Sequence, residues 1–491
     1  MEKQLLVGWA TTSITPERPA FLIGQLYYRV SRYVHDPITA TALVLTNGDD
    51  EVIFLSADME SISADICEAV RKNLDSWNSI KANKICFSAT HSHTSTYVRD
   101  ERRAGIIALV GEDTLPPMDI PKNVLNDDEA EEIIIQKFTG LIKEAWEARA
   151  PGGISGISDY AAISFNRRPQ FDHGDGKIKS KMYGDCSQDN FLRFEGTVDH
   201  AIDMLYTWDN NRNLTGVLVD VPCPAQVFEL HSFISADYWA NARNAIRKRL
   251  GNVYILSLCG SAGDQNPIDL VKVSKQNANE LKEWRDQAQE VNRNFDMSEE
   301  CNDIGARIAD AVYRGFCKAR NTVEKQPVLY HSIMDISLPI RTVSEEAYLQ
   351  AKEEIKKIVS QFPAGHRMEG KDLVRLFEPM GVIGRREFQQ KGDHTIIRSD
   401  IIRIGNTIIC TTPFEVFVEY ALQIRARSKA PHVFTIQLTN GASGYLSTEI
   451  ALNGGSYSSK PASTLVGPKG GKLLTEILIK EINRLWINKD I

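Results

Sequence analysis

The sequence predicts an α/β protein built around a mixed β-sheet. Short apolar runs rich in β-branched and aromatic residues recur along the chain, and segments with apolar residues at helical spacing lie between several of them. Strands that alternate with helices are typical of folds in which helices cover a sheet. A hydrophobic content of 42% and a charged content of 25% are ordinary for a globular protein.

The individual elements follow from these patterns. The apolar runs predict strands at residues 42–45, 52–55, 84–88, 217–221, 253–258, 401–404, 407–411 and 432–438. Helical spacing predicts helices at residues 63–74, 127–148, 237–250, 304–318, 344–362 and 473–486. Acidic residues in the first turn of the second helix support its start.

The length of 491 residues exceeds what one simple core usually holds. We expect a single elaborated domain over residues 1–491, in which any boundary between subdomains would lie near residues 325–345. Residues 272–302 are highly charged and predict a solvated helical insertion. Residues 99–126, which contain several prolines, predict a long loop that acts as a lid or specificity loop.

Composition excludes several classes of partner. The net charge is −7 and no Lys/Arg-rich tract with interleaved aromatic residues is present, so a nucleic-acid partner is not expected. No apolar segment has the length of a membrane span, and no stable membrane insertion is expected. Eight scattered cysteines without a CxxC pair indicate reduced thiols and a cytoplasmic protein. The expected partner is a small-molecule substrate.

The most informative motif is the pair His91 and His93, which directly follows the predicted strand 84–88. Because side chains alternate along an extended chain, both imidazoles would leave the strand on the same side. Two imidazoles at a strand end suit a metal site or acid/base chemistry. Two solvated or core-edge histidines remain the alternative.

Other candidate residues also follow predicted strands or lie in turns. Asp264 and Asn266 lie in a small-residue loop after strand 253–258, and Glu415 follows strand 407–411. Tyr445 lies in a glycine-rich turn, and Arg167 could clamp a carbonyl or an anion. The alternatives are a helix-start acid for Glu415, a packed turn tyrosine and a solvated arginine.

A serine hydrolase is a competing interpretation. Residues 259–263 differ from the GxSxG nucleophile elbow only at the first position, where Cys259 replaces glycine. Ser261 would be the nucleophile.

Taken in order, the motifs resemble those of the neutral/alkaline ceramidase family. The resemblance spans nearly the whole chain, at residues 13–16, 24, 35–45, 89–93, 166–167, 262–263, 413–415, 445 and 463–468. It implies an α/β mixed-sheet catalytic domain with helical insertions. Extracellular members also carry a C-terminal β-sandwich, which we do not expect here.

The resemblance also implies a zinc site and cleavage of an N-acyl amide. His91, Glu415 and Tyr445 correspond to a histidine, the carboxylate and the tyrosine that hold zinc in ceramidases. His93 resembles the histidine that contacts the reacting group, while Arg167 and Tyr457 resemble a substrate-facing arginine and tyrosine. Imidazole and carboxylate groups are suitable ligands for zinc or another divalent metal.

The chain departs from the family pattern at two positions. The segment that carries the second histidine ligand in ceramidases is here residues 221–227, which contain no histidine. We expect His231 to replace it, with Gln226, Glu229 and Cys223 as rivals, or the metal to be lost. Asn266 stands where ceramidases have a serine, and it could donate a hydrogen bond to an oxyanion.

These observations favour a metal-dependent hydrolase in which zinc-bound water attacks a polarised carbonyl. His93 or Asp264 would handle protons, and Arg167, Tyr457 and Asn266 would position the substrate. An amide in a small molecule other than ceramide is the first expectation. A carbohydrate- or cyclitol-directed enzyme and a metal-free ligand-binding protein are the alternatives.

Overall fold

The computed structural model describes residues 4–25, 29–77, 79–96, 108, 111, 120–280, 296–363, 365, 366, 368 and 370–487. Most of the predicted loop 99–126 and the middle of the predicted insertion 272–302 therefore lie outside the described residues.

An eight-stranded mixed sheet forms the first half of the structure. Its strand order is β14-β13-β12-β7-β1-β4-β5-β6, with parallel pairing at each edge (β13 with β14, β5 with β6) and antiparallel pairing between them. The strands are β1 (Leu6–Ser13), β4 (Thr39–Thr46), β5 (Glu51–Ala57), β6 (Ile85–Ala89), β7 (Ala150–Tyr160), β12 (Ala201–Asp209), β13 (Leu214–Val221) and β14 (Tyr254–Cys259).

A four-stranded sheet in the order β16-β17-β18-β20 forms the second half. It contains β16 (Leu329–Pro339), β17 (His394–Ile404), β18 (Thr407–Thr411) and β20 (His432–Ile436). Only β18 and β20 pair in parallel. The last strand of the first sheet ends at Cys259, and the chain enters the second sheet at Leu329.

Short strands make four small sheets beside the two large ones. They are β2 (Phe21–Leu22), β3 (Arg29–Val30), β8 (Phe165–Asn166), β9 (Pro169–Asp172), β10 (Ile178–Ser180), β11 (Phe191–Phe194), β15 (Gln265–Asn266), β19 (Glu415–Val416) and β21 (Tyr445–Leu446). The pairs β8–β15 and β19–β21 connect segments that are far apart in the sequence.

The helices are α1 (Ala64–Asp75), α2 (Asp127–Glu147), α3 (Tyr238–Leu250), α4 (Leu270–Glu280), α5 (Ser298–Ala319), α6 (Glu345–Ser360), α7 (Gly370–Gln389), α8 (Val418–Arg427), α9 (Glu449–Gly454) and α10 (Pro468–Ile487). Among the described residues, no helix combines the length and the apolar composition that crossing a bilayer requires.

The two large sheets pack face to face, so the structure has four layers. Leu43, Phe54 and Leu256 of the first sheet share one buried cluster with Ile402 and Phe434 of the second. Helices α1, α2, α3 and α5 cover the outer face of the first sheet, and α8 and α10 cover that of the second. Each predicted strand lies in one of the two large sheets, which confirms the α/β mixed-sheet fold class.

Candidate active site

Loops that leave strand ends of both large sheets meet at one buried location. His91 and His93 follow β6, Glu415 follows β18, and Tyr445 follows β20. Arg167 follows the small strand β8. The short parallel pair β19–β21 makes Glu415 and Tyr445 direct register partners.

His91 is held by its backbone and by its outer ring nitrogen. Its φ of 60° is in the left-handed region, so the chain turns sharply after β6 instead of continuing as an extended strand. The ring Nδ1 lies 2.8 Å from the carbonyl oxygen of Glu60. Because only a protonated nitrogen can donate to a carbonyl, the neutral ring keeps its lone pair on Nε2, which lies 3.3 Å from Glu415 Oε2.

Tyr445 and Arg167 complete the surroundings of the Glu415 carboxylate. The Tyr445 hydroxyl donates a hydrogen bond to Glu415 and accepts one from Arg167. The Arg167 guanidinium also lies 5.4 Å from the centre of the Tyr445 ring and donates to the Gly263 carbonyl oxygen at 2.8 Å. The carboxylate is therefore fixed from two sides.

The electrostatics favour a charged carboxylate. Burial alone would raise the pKa of Glu415, but the positive charges of His91 and Arg167 and the hydrogen bonds outweigh it and lower the pKa. Burial would lower the pKa of His91, but the charge of Glu415 raises it. In the absence of a cation, the pair is thus an ion pair with the proton on His91.

His93 lies against His91 on the other side from Glu415. The two Nε2 atoms are 3.3 Å apart, so the predicted convergence of the histidines occurs although His91 is not extended. Burial and the nearby positive charges of His91, Arg29 and Arg167 lower the pKa of His93 far below its ordinary value. The imidazole of His93 is therefore neutral.

Gln226, in the segment expected to hold the second histidine, and Glu229, just after it, face His93. The amide nitrogen of Gln226 lies 2.8 Å from His93 Nε2, and a carboxylate oxygen of Glu229 lies 3.6 Å from Nδ1. Gln226 also donates to Glu229 at 3.3 Å. Asn266 contacts the Gln226 amide oxygen at 3.4 Å and the Tyr183 hydroxyl at 3.1 Å.

The buried guanidinium of Arg29 joins the loops around His93. It donates to the carbonyl oxygens of His93 and Ile23 and to those of Glu229 and His231. One charged group thus satisfies four carbonyl groups from three segments and fixes their spacing. No sequence motif singles out Arg29, which lies in the two-residue strand β3.

His231, the predicted second histidine ligand, has its ring in an aromatic cluster. The ring stacks on Phe233 with centroids 4.8 Å apart and meets the edge of Phe228 at 5.7 Å. The side chains that face His93 from this region are Gln226 and Glu229.

Asp264 supports the backbone of the site. Its carboxylate accepts from the Asn166 amide at 3.0 Å and from the Val418 amide at 2.9 Å. It therefore connects β8 to the start of α8. Arg167 donates its own backbone amide to the Asp264 carbonyl at 2.9 Å.

Tyr457 contacts the site through its ring, which packs edge-on against Tyr445 with centroids 5.5 Å apart. Its loop is held by the fully buried Arg168, which donates to the Tyr457 and Gly455 carbonyls and pairs with Glu195 at 2.7 Å. Sequence reasoning selected Arg167 and missed this role of its neighbour.

Ser261, the alternative nucleophile, is buried and donates to the carbonyl oxygen of Thr435 at 3.2 Å. It lines a cavity of about 10 Å³ with Thr412 and apolar side chains from α8 and α10. That volume holds about one water molecule, and it is too small for a substrate.

A second polar cluster lies at the opposite end of β6. Cys86, His331 and Asp400 form the only group of three His, Cys or carboxylate donors within 4.8 Å of one another among the described residues. His331 Nε2 is 2.8 Å from Asp400, which also binds Arg398 through both oxygens. Burial raises the pKa of Cys86 far above its ordinary value. Because both oxygens of the Asp400 carboxylate already bind the Arg398 guanidinium, a cation would have to displace this arginine.

The donors around His91 fit a cation better. Two ligands of a tetrahedral zinc ion with bonds of about 2.0–2.1 Å lie about 3.3 Å apart. His91 Nε2 and Glu415 Oε2 have this separation, and the Tyr445 hydroxyl is bound to the same carboxylate. The Glu60 carbonyl holds the outer nitrogen of His91, as is usual for histidines that bind metal.

Two solved structures share the architecture described above. A neutral ceramidase from Pseudomonas aeruginosa matches with a TM-score of 0.63 and 14% sequence identity, covering 99% of this chain and 75% of that chain. A ceramidase complexed with C2 matches with a TM-score of 0.64 and the same identity and coverage. No protein-family profile and no curated protein matches the sequence. The chain therefore has the ceramidase-like fold that its sequence motifs predicted.

Proposed function

We propose that this protein is a metal-dependent hydrolase that cleaves an amide or a related bond in a small molecule other than ceramide. The observation that carries the proposal is the meeting of His91, Glu415 and Tyr445 with His93 and Arg167. Apart from the neighbouring His91 and His93, these residues come from separate parts of the chain, so their contacts depend on the fold.

The proposed metal is zinc, with another divalent cation as the alternative. His91, Glu415 and Tyr445 would hold it. When bound, zinc supplies an activated water at neutral pH and polarises a carbonyl group. This fits the buried ion pair of His91 and Glu415, since a cation would replace the proton between them.

The other residues have roles that follow from their surroundings. The neutral His93 imidazole would accept or return a proton during the reaction. Arg167, aligned with the Tyr445 phenol, would stabilise negative charge that develops on the substrate oxygen. The Tyr457 ring would form part of the substrate wall, and Asn266 would keep the Gln226 amide in place.

The departures at Gln226 and Asn266 argue for a substrate other than ceramide. The buried polar groups Gln226, Glu229 and Asn266 lie near His93, and the half-buried Tyr183 contacts Asn266 through its hydroxyl. These groups suit a polar substrate, and a long acyl chain would leave their hydrogen bonds unmatched.

All eight cysteines are free thiols, which supports the proposed cytoplasmic location.

The test is metal analysis followed by a substrate screen. We expect native protein to contain about one equivalent of a divalent metal, and a chelator to abolish hydrolysis of an active substrate from a panel of N-acyl amides, esters and glycosides. His91→Ala and Glu415→Ala should lose both metal and turnover. Ser261→Ala should retain them, and the opposite pattern would establish the serine hydrolase instead.

A second candidate function is ligand binding without turnover by a metal-free protein. Gln226 supports it, because this residue lies in the segment from which the second histidine is missing and its amide contacts the His93 ring. Substoichiometric metal in native protein, with no gain of activity after addition of Zn²⁺, Mn²⁺ or Fe²⁺, would favour this function over the hydrolase.

A further inference from the structure

The segment at residues 221–227 contains no histidine, so the proposed cation site needs another second nitrogen donor. Two histidines are candidates: His93, whose ring contacts Gln226 of this segment, and His231, the predicted replacement. Their surroundings differ enough to decide between them.

We infer that His93 supplies the second imidazole nitrogen of the cation site, in place of the missing histidine. This inference rests on the proposed metal-dependent function. It assigns His93 to direct coordination in place of the proton transfer proposed for it above, whereas the resemblance assigns it to contact with the reacting group.

The first argument is the distance between the histidine nitrogens. His93 Nε2 lies 3.3 Å from His91 Nε2, and Glu415 Oε2 lies 3.3 Å from the same His91 atom. Both separations equal the spacing of about 3.3 Å between two ligands of a tetrahedral zinc ion. His91 Nε2 therefore lies at ligand spacing from two other donor atoms, His93 Nε2 and Glu415 Oε2.

The second argument is the position of the lone pairs. The Glu60 carbonyl holds His91 Nδ1, which leaves the lone pair of the neutral ring on Nε2. The amide nitrogen of Gln226 can only donate, and it lies 2.8 Å from Nε2 and 3.1 Å from Nδ1 of His93, so it donates to the His93 ring. In the metal-free protein His91 Nε2 carries the proton that faces Glu415. A cation that replaces this proton would meet the Nε2 lone pairs of both histidines, which lie 3.3 Å apart.

The third argument is the outer partner of each ring. A histidine that binds metal usually has its other nitrogen held by a carbonyl or a carboxylate. The Glu60 carbonyl holds His91, and the Glu229 carboxylate faces His93 Nδ1 at 3.6 Å.

One adjustment is needed before three donors can bind one cation. His91, His93 and Glu415 are not a group with all donor atoms within 4.8 Å, so the distance from His93 to Glu415 exceeds that value. Two ligands of one zinc ion lie at most about 4.2 Å apart, twice the bond length. A side-chain movement of His93 that displaces the Gln226 amide would have to close this gap.

His231 is less suitable on the same criteria. The His231 ring stacks on Phe233 at an angle of 18° and lies edge-on to Phe228. Its backbone carbonyl is fixed by Arg29 at 2.6 Å. Bringing this imidazole to His91 would require breaking the aromatic stack and moving the loop.

The test compares Zn²⁺ affinity and Co²⁺ absorption in variants of the full chain after metal removal. We expect His93→Ala to lose at least about 100-fold in Zn²⁺ affinity, the upper end of what an outer partner contributes. The visible spectrum of bound Co²⁺ should change as a nitrogen ligand is lost. His231→Ala is the matched control and should bind like the wild type. Glu229→Gln should lose about 10-fold.

His93 is buried, so His93→Gln serves as a second variant, and thermal unfolding of the metal-free proteins checks that both variants fold. Wild-type affinity in a folded His93 variant, or loss of binding in His231→Ala, would overturn the assignment while leaving the proposed hydrolase intact. A wild-type protein that binds neither Zn²⁺ nor Co²⁺ would overturn both.

Discussion

The hydroxyl of Tyr445 donates a hydrogen bond to the carboxylate of Glu415, its direct partner in the short parallel pair β19–β21. Backbone pairing thus sets the position of both side chains. The same hydroxyl accepts from Arg167. The phenol therefore links the carboxylate to the guanidinium in a largely buried site.

Removing this hydroxyl should weaken the site without unfolding it. We expect Tyr445→Phe to lower Zn²⁺ affinity about 10- to 100-fold, because the carboxylate loses a hydrogen-bond donor and the metal loses a candidate ligand. Tyr457→Phe keeps its ring against Tyr445 and is the matched control. Competition with a chromophoric chelator measures both affinities. Equal affinities in the two variants would contradict the role of Tyr445.

Gly263 should tolerate no side chain, because the backbone of Glu415 passes directly beside it. A Cβ atom at this position would lie 2.5 Å from the Glu415 carbonyl oxygen. We expect Gly263→Ala to lower the free energy of unfolding by about 1–3 kcal/mol and to weaken Zn²⁺ binding through displacement of Glu415.

The control is Gly140→Ala in α2, where an added Cβ meets nothing within 4 Å. Alanine is the better helix former, so this variant should gain about 1 kcal/mol and keep its metal affinity. Denaturant unfolding measures both effects. A Gly263→Ala variant as stable as Gly140→Ala would refute the close approach.

Arg168 should contribute far more to stability than an exposed arginine. It is fully buried and pairs with Glu195, whose side chain is only 3% exposed. Arg168→Met leaves that carboxylate without its partner, and we expect a loss of about 3–5 kcal/mol. Arg18→Met breaks an exposed pair with Glu129 and should cost about 0–1 kcal/mol. Urea unfolding of both variants checks the contrast.

Asp400 and Asp220 should show opposite pH dependence. Burial would raise the pKa of Asp400, but hydrogen bonds from His331 and Arg398 lower it. Its contribution to stability is therefore present above the unfolded-state pKa of about 3.9 and lost as the pH falls through the lower folded value. The stability difference between wild type and Asp400→Asn should shrink below about pH 4.

The contribution of Asp220 to stability changes with pH in the opposite direction. Burial, reinforced by the charge of Asp203, raises its pKa far above the ordinary value, and one carboxylate oxygen has no hydrogen-bond partner among the described residues. A raised folded pKa costs stability as the pH rises. Asp220→Asn should therefore become more stable than wild type with increasing pH. Unfolding free energies from pH 3 to about pH 8 test both signs.

Strand and helix positions could be predicted because they depend on local patterns. The predicted strand at residues 407–411 coincides with β18, and the predicted helix at 127–148 ends one residue after α2. The predictions missed β7 because it contains three glycines, and β1 because polar residues fill its second half. Pairing with neighbouring strands in the sheet outweighs the weak propensity of both.

The candidate site was predictable only where residue type and motif order carried a signal. His91, His93, Glu415 and Tyr445 stand out because they follow strands or lie in glycine-rich turns. Gln226 and Glu229 were only rivals to His231, since their contact with His93 depends on the loop that Arg29 holds. The left-handed backbone of His91 carries no sequence signal either.

The facing arrangement of the two large sheets has a consequence for how the protein loses its site. Each sheet provides only part of the donor set: the histidines emerge from one, and the carboxylate and the phenol from the other. A cation with ligands from both sheets would connect the two layers. Separation of the layers would then abolish binding before either sheet itself unravels, so occupancy of the site reports on the docking of the two halves.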